Sequence, residues 1–511
     1  MSLNPISKIF LICFCGFFLS LSAPSYDLWF IAWIGLSPFF IIINTSRKLK
    51  EAIIFSFLFG FSYNLSYLHW LFSLHPLNWL GFSNFKSLFI SLLALVTTSV
   101  SSSLYFVLFA VCVFYLKQYS IRPHSKGISN LFLVTFIWLI IFNKLSSCKF
   151  LLGFPWTLVE YSQYKNLFLI QIAELFGSTA ISFLIVLFNL IVANLFIWFF
   201  NIEKIGNRIV PKAPGQFGEI IISFSIVSIL ISLSLIFGFF SYKKNQQYFT
   251  NESKSVCVLQ GDLPIKATRG GNLDIKLARK TYNDLINKNN AELFIAPEGS
   301  LPVIFNTDEI TQHWLKTISK KKQADIILGS YCNKEDRLTN CTVGFSQSKN
   351  KFSFYEKERL VPFGEYVPFS FLLPGSLKKL ALNAIGDGFK EGRGNLPLES
   401  FLGTIGANIC FELIFPTIIR KHILQNASLL VNFSDLSWFS NDRIKKQFLS
   451  FAVFRAIENR RYVIIAANNG ISAFIEPTGK IKSQSIPNSK GVLIDWINPI
   501  NKITFYSKYG W

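Results

Sequence analysis

Charge is what this sequence has least of. Only 15% of its 511 residues are Asp, Glu, Lys or Arg, against about 25% in an average soluble domain, which excludes an ordinary water-soluble enzyme along the whole length. Histidine is scarce too: there are five, and His69 and His75 fall in or near apolar runs. With no GxSxG elbow, a Ser-His hydrolase is not expected. No GxxxxGK(S/T), placed GxGxxG or HExxH occurs, so phosphate-loop, dinucleotide and zinc-protease chemistry lack support. Eight cysteines are present, but Cys13, Cys15 and Cys112 sit in apolar runs and Cys148 at the edge of one. The other four, Cys257, Cys332, Cys341 and Cys410, show no CxxC or His-spaced pattern, so no metal site is expected. In an oxidising compartment Cys332 and Cys341 could pair; two unpaired thiols in or near a loop fit the spacing equally well.

The charge that exists is unevenly spread. Residues 1–242 hold 14 basic and 6 acidic side chains and residues 243–511 hold 36 and 23, about 8% and 22% charged. A net charge of +21 by itself fits nucleic-acid binding. The split predicts instead a membrane half joined to a water-facing half, with no nucleic-acid partner.

A spanning helix needs roughly 20 mostly apolar residues. Such runs lie near 8–23, 27–44, 52–72, 87–116, 129–145, 167–200 and 219–241, giving a transmembrane domain of about seven helices over 1–242. The runs 87–116 and 167–200 are long enough to tilt, or to hide a break. Lys8, the apolar stretch to Leu21 and then Ser22-Ala23 also match a cleavable signal peptide; six further runs leave the membrane assignment unchanged. Basic loops with Arg47, Lys48 and Lys50, with Lys117, Arg122 and Lys126, and with Lys204, Arg208 and Lys212 alternate with loops poor in Lys and Arg around Asp27 and 73–86. The loop near 144–165, carrying Lys144, Lys149 and Lys165, dissents. Cytoplasmic loops retain positive charge, so a cytoplasmic N-terminus followed by seven spans puts residues 243–511 outside the cytoplasm.

From 254 to 500 short apolar β-rich runs alternate with amphipathic ones. Strands are predicted at 254–260, 291–296, 324–330, 404–410, 428–433 and 462–468, and helices at 274–290, 311–322 and 445–458. This alternation predicts an α/β domain with functional residues at strand ends. Three segments stand out by position: Phe294-Ile-Ala-Pro-Glu298 after one strand; Tyr355-Glu-Lys357 before Leu360-Val-Pro-Phe-Gly-Glu365-Tyr-Val-Pro368; and Asn408-Ile-Cys410-Phe-Glu412 at the end of another. Taken singly, a strand-end Cys is more often a small core residue than a nucleophile.

In this order the segments resemble the carbon–nitrogen hydrolase (nitrilase) superfamily, and above all its membrane-embedded apolipoprotein N-acyltransferase branch. Gly153-Phe-Pro-Trp156, Tyr161-Ser162-Gln163, Gln260-Gly261 with Pro264, Asn432, Trp438-Phe439, Arg455-Ala456, Glu458 and Asn468-Asn469-Gly470 follow the same order. The resemblance implies a polytopic helical membrane domain followed by a nitrilase-like αββα sandwich over 243–511. It implies Cys410 as nucleophile, Glu298 as general base and Lys357 as oxyanion stabiliser, with Glu365 and Glu412 supporting them. It further implies acyl transfer without a cofactor: from a membrane phospholipid to Cys410 as a thioester, then to the α-amine of a diacylated apolipoprotein, by a monomer in a bacterial inner membrane with the catalytic domain on the periplasmic side. Exposing an acyl chain costs about 0.8 kcal/mol per CH₂, so chemistry belongs near the bilayer. Residues 373–389, with Leu377, Leu380, Ala381 and Ala384 on one helical face beside Lys378 and Lys379, match a membrane-facing lid or an ordinary packed helix. Phe154, Trp156, Phe411 and Trp438 are expected to face lipid.

The chain departs from the family pattern at Asp262, where Asn is usual, at Asp435-Leu436 in place of Asn-Asp, at Phe411 for Tyr and at Phe448 for His. The family normally ends with a further spanning helix, and after Thr504-Phe-Tyr506 no apolar run of about 20 residues precedes Trp511; either a naturally short chain or a missing end fits this. A membrane-anchored amidase would share the triad and release its product to water; the GFPW and LVPFGEYVP segments favour transfer. A transporter or scaffold with an inactive appended domain is disfavoured by few charges within the spans, although Glu160, Glu174 and Glu219 lie at or near them, and by the intact Glu298–Lys357–Cys410 set.

Overall fold

A computed structural model describes residues 4–119, 128–149, 153–200, 204–205, 208–209, 216–246, 253–265, 272–334, 337–367, 375, 388–393 and 397–510. The face expected from Leu377, Lys378, Lys379, Leu380, Ala381 and Ala384 lies outside the described residues, as do Arg122, Lys126 and Lys212. The chain divides into two compact units, one of Met1–Pro76, Ser83–Ala173 and Ser178–Phe240, the other of Leu77–Phe82, Glu174–Gly177 and Ser241–Trp511.

The first unit is helical. Its main helices are α1 (Pro5–Ser20), α2 (Leu49–Tyr67), α3 (Asn84–Tyr119), α4 (Ile128–Leu139), α5 (Thr179–Phe199) and α6 (Gln216–Gln246). Four stretches, Asn84–Lys117, Ile128–Ser147, Thr179–Phe199 and Phe217–Gln246, are long and apolar enough to cross a membrane. The run 87–116 is one unbroken helix. The run 167–200 breaks before α5 at Gly177, whose φ of +72° suits glycine. The first apolar run packs as α1 against α2: Ser62 Oγ donates to the Cys13 carbonyl at 2.5 Å, and a Cβ on Gly16 would meet the Phe59 carbonyl oxygen at 2.3 Å. Only glycine permits that approach.

The second unit carries two six-stranded sheets. One contains β1 (Lys254–Gln260), β2 (Leu293–Ile295), β3 (Asp325–Lys334), β4 (Arg337–Ser346) and β5 (Lys351–Glu356); the other contains β6 (Leu398–Ser400), β7 (Gly403–Ile409), β8 (Ala427–Ser434), β9 (Val463–Ala467), β10 (Ala473–Ile475) and β11 (Ile481–Gln484). The last strand, β12 (Gly491–Ile497), returns to pair antiparallel with β1, giving the orders β12-β1-β2-β3-β4-β5 and β11-β10-β9-β8-β7-β6. Strands β1–β2–β3 and β7–β8–β9 are parallel; the flanking pairs are antiparallel.

Alternation along the strands builds the layers. Val256, Val258 and Ile295 from one sheet meet Ile405, Ala407, Ile409, Leu429, Val431 and Ile464 from the other in the central core. The intervening Cys257, Leu259, Ile326 and Leu328 face outward, where Ala278 and Tyr282 of α7 (Asn272–Lys288) and Leu315 and Ile318 of α8 (Glu309–Lys322) cover them. Two further helices, α9 (Pro416–Leu424) and α10 (Asp442–Asn459), follow β7 and β8; His422 of α9 lies 2.7 Å from where a Cβ on Gly406 of β7 would sit. The result is the expected αββα sandwich. The hairpin β4–β5, the edge strands β6, β11 and β12, the strand β10 and the helix α9 are additions to the expected elements. Cys332 and Cys341 form a disulfide between β3 and β4.

Candidate active site

Glu298, Lys357 and Cys410 each follow the end of a strand: β2, β5 and β7. Parallel strands deliver such ends to one rim of a sheet. Glu298 sits in a tight turn over β3, where a Cβ on Gly329 would lie 2.4 Å from the Pro297 carbonyl oxygen and 2.6 Å from Glu298 Cα. A larger residue at 329 would push the carboxylate away.

Lys357 is 1% exposed. Its Nζ lies 3.3 Å from Glu298 Oε1 and 2.9 Å from Glu365, and its backbone N–H donates to the Asn340 carbonyl at 2.9 Å. Burial opposes the ammonium, but Glu298 and Glu365 overcome it and hold the Lys357 pKa above the ordinary lysine range. Asn340, in β4, completes the cluster: its Nδ2 donates to Glu298 Oε1 at 2.7 Å and to Glu365 Oε1 at 3.0 Å. Glu365 Oε2 accepts from the Val361 N–H at 2.8 Å, and Glu298 Oε2 from the Asp435 N–H at 2.9 Å. Burial pushes the Glu298 carboxyl up, against the pull of Lys357.

Cys410 opens a tight turn with φ of +51°, a left-handed conformation that is uncommon for a side chain bearing a Cβ. Neighbouring strands hold it there. Asn432 Nδ2, in β8, donates to the Cys410 carbonyl at 3.1 Å and to Asn408 Oδ1 at 2.7 Å, while Asn408 Nδ2 donates to the Val431 carbonyl at 3.0 Å. Burial and then the charge of Glu298 raise the thiol well above its usual pKa, with Lys357 opposing. The resting sulfur is therefore a protonated thiol that a neighbouring base must activate.

Glu412 touches none of these three side chains. Its Oε2 accepts from the Ile409 N–H at 2.7 Å and the Tyr355 hydroxyl at 2.9 Å, and its Oε1 from the N–H groups of Glu358 at 2.6 Å and Arg359 at 3.0 Å. It is a buried bracket between the strand end before Cys410 and the loop after Lys357. Burial raises it to about 7 against those donors.

Two of the four aromatics expected to face lipid, Trp156 and Phe411, are buried. Trp156 is 2% exposed, packed within the helical unit with its ring 5.3 Å from that of Phe154 and 5.1 Å from that of Trp70. Phe411 is likewise 2% exposed, edge-on to Phe415 at 5.2 Å. Both are core rings, because each has aromatic neighbours that remove it from any outer surface. Trp438 is half-buried and makes a T-shaped contact with Trp79 at 5.1 Å. Sequence reasoning missed Asn340 and Trp79. Among the described residues no group of His, Cys, Asp and Glu could hold a metal ion.

A buried Glu–Lys–Glu cluster beside a strand-end thiol, at the rim of a two-sheet sandwich, is the arrangement of a thiol-dependent carbon–nitrogen hydrolase-type domain. Residues 266–499 match the carbon-nitrogen hydrolase family model, and residues 15–191 match the model of the apolipoprotein N-acyltransferase N-terminal domain. The chain belongs to the apolipoprotein N-acyltransferase family. Similar proteins include the apolipoprotein N-acyltransferase of Geobacter metallireducens, 28% identical across 97% of this chain and 90% of that protein. Another is that of Wigglesworthia glossinidia brevipalpis, 26% identical across 98% and 94%. Among solved structures, a carbon–nitrogen hydrolase superfamily protein from Xanthomonas campestris is 18% identical, covering 48% of this chain and 91% of its own, with a TM-score of 0.37.

Proposed function

We propose that the chain moves a fatty acyl group from a membrane phospholipid, through a thioester on Cys410, to the α-amine of the diacylated cysteine at a lipoprotein's N-terminus. The observation that carries this is the Lys357 ammonium, held between Glu298 and Glu365 and acting electrostatically on the Cys410 thiol. Glu298 takes the thiol proton, and Sγ attacks the ester carbonyl. The charge that develops on the carbonyl oxygen is stabilised by Lys357. The C–O bond breaks, and Glu298 returns the proton to the lysophospholipid oxygen. The amine then attacks the thioester and the C–S bond breaks, regenerating the thiol and leaving an amide.

The catalytic unit works on the periplasmic side of a bacterial inner membrane. The alternating basic loops support this orientation, and so does the Cys332–Cys341 disulfide, a bond that persists in oxidising compartments. Purified protein incubated with phospholipid and a diacylated lipopeptide should gain acyl mass on Cys410, then pass one acyl group to the peptide amine. Transfer that survives Cys410→Ser would overturn the mechanism; free fatty acid as the sole product would make the protein a hydrolase.

A further inference from the structure

The catalytic cluster is unbalanced in charge. Among the described residues Glu298, Glu365 and Asp435 all act electrostatically on the Cys410 thiol, and Lys357 opposes them. Lys357 is bonded to Glu298 and Glu365. Asp435 is left over.

Asp435 follows the end of β8 and is 8% exposed. Its backbone N–H donates to Glu298 Oε2 at 2.9 Å, which fixes it beside the base. Its Oδ1 accepts from the Ser437 N–H at 3.1 Å and from Asn468 Nδ2 at 3.3 Å. Its Oδ2 accepts no hydrogen bond, and no Lys, Arg or His pairs with it, among the described residues. A buried carboxylate is costly without a counter-charge. A second group nearby is also unsatisfied. Tyr282 of α7, 2% exposed, stands in the field of Asp435, and its hydroxyl has no hydrogen-bond partner among the described residues. A buried hydroxyl without a partner carries its full desolvation cost. An uncompensated carboxylate and an unpaired hydroxyl together complement a ligand group with positive charge and several N–H donors.

Resting on the acyl-transfer assignment above, we propose that Asp435 receives the α-ammonium of the acceptor's N-terminal cysteine and sets its nitrogen beside the Cys410 thioester. In the transfer the ammonium first gives one proton to solvent. The freed nitrogen lone pair forms the C–N bond, Glu298 takes a second proton from that nitrogen, and the C–S bond breaks. Glu298 then returns its proton to Sγ, leaving amide and thiol. Asp435 takes no part in these proton transfers and acts by binding and positioning.

An ammonium can also come from the donor, as the headgroup of phosphatidylethanolamine, so the test uses two donors. Thioester formation and its discharge to a diacylated lipopeptide are measured separately with phosphatidylethanolamine and with phosphatidylglycerol. Asp435→Asn should raise the acceptor KM at least ten times more than it slows thioester formation, with either donor, and Asp435→Glu should recover most of that loss. Equal loss in both half-reactions, no change in acceptor KM, or an effect confined to phosphatidylethanolamine as donor would each overturn the proposal. On the wild-type acyl-enzyme, an N-acetylated lipopeptide should compete at least tenfold more weakly than the free-amine peptide; equal competition overturns it without any variant. Wild-type protein that forms no thioester, or passes no acyl group on, would instead refute the underlying acyl-transfer assignment.

Discussion

The Tyr355 hydroxyl donates to Glu412 Oε2 at 2.9 Å, tying β5 of one sheet to the turn that follows β7 of the other. Through this bond and three backbone N–H donors, Glu412 fixes the loop after Lys357 relative to Cys410 without touching either side chain. Glu412→Gln sets an NH₂ donor against donors, which should cost about 1–3 kcal/mol and slow thioester formation. The pH dependence has a definite sign. The folded carboxyl titrates near 7, above its unfolded value of about 4.3, so between those values the folded state binds the extra proton. Wild-type stability contributed by this group therefore falls as pH rises from about 4.3 to 7 and is flat beyond. The difference in Tm between wild type and Glu412→Gln should shrink over that window; a constant difference would contradict a raised Glu412.

Asn340 is the amide between two carboxylates. Removing it in Asn340→Ala leaves Lys357 as the side-chain donor that Glu298 and Glu365 share. The expected result is a fall of at least tenfold in the rate of Cys410 acylation, with little change in acceptor KM. Asn340→Asp should be worse, because it adds another carboxylate to a cluster with one cation. Single-turnover acylation by mass spectrometry checks both.

The membrane character of the first half and the α/β character of the second were legible because both depend on local composition and period. The strand-end positions of Glu298, Lys357 and Cys410 were legible for the same reason. Asn340 was not, since its role arises when antiparallel β4 and β5 bring residues 340 and 357 together, a long-range pairing with no local signature. The burial of Trp156 and Phe411 was not legible, because an aromatic in sequence carries no record of which rings will cover it. The position of Glu412 two residues after Cys410 suggested support of the triad; that it works through backbone donors required the fold.

The Cys332–Cys341 disulfide closes a short loop across β3 and β4 next to Asn340. Chain-entropy arguments give such a loop about 2–3 kcal/mol of stabilisation. Replacing both cysteines by Ala should lower Tm in detergent by a few degrees and leave a slower, still active enzyme. In intact protein, maleimide should label these two sites only after reduction; labelling without reductant would show that the bond does not form.

Glu298 and Lys357 act on the Cys410 thiol in opposite senses, and that allows their roles to be separated. The charge of Glu298 raises the thiol pKa, whereas that of Lys357 lowers it. Lys357→Met should therefore depress both alkylation of Cys410 by iodoacetamide and its acylation by phospholipid. The acylation loss should be the larger, roughly 100–1000-fold, because it includes the missing stabilisation of the oxyanion. Glu298→Gln removes the repulsive charge and should make alkylation at neutral pH faster than in wild type. The same variant has no acid to return a proton to the leaving lysophospholipid oxygen, so acylation should fall at least 100-fold. A Glu298→Gln protein that loses alkylation and acylation to the same extent would mean that the carboxylate acts before the acyl-transfer chemistry, in forming the thiolate or in holding the turn. One that keeps normal acylation would mean that another group serves as base. Both reactions need the thiol proton removed, but only acylation also stabilises an oxyanion and returns a proton to the leaving oxygen, so their ratio separates the acyl-transfer chemistry from thiolate formation and access to the sulfur.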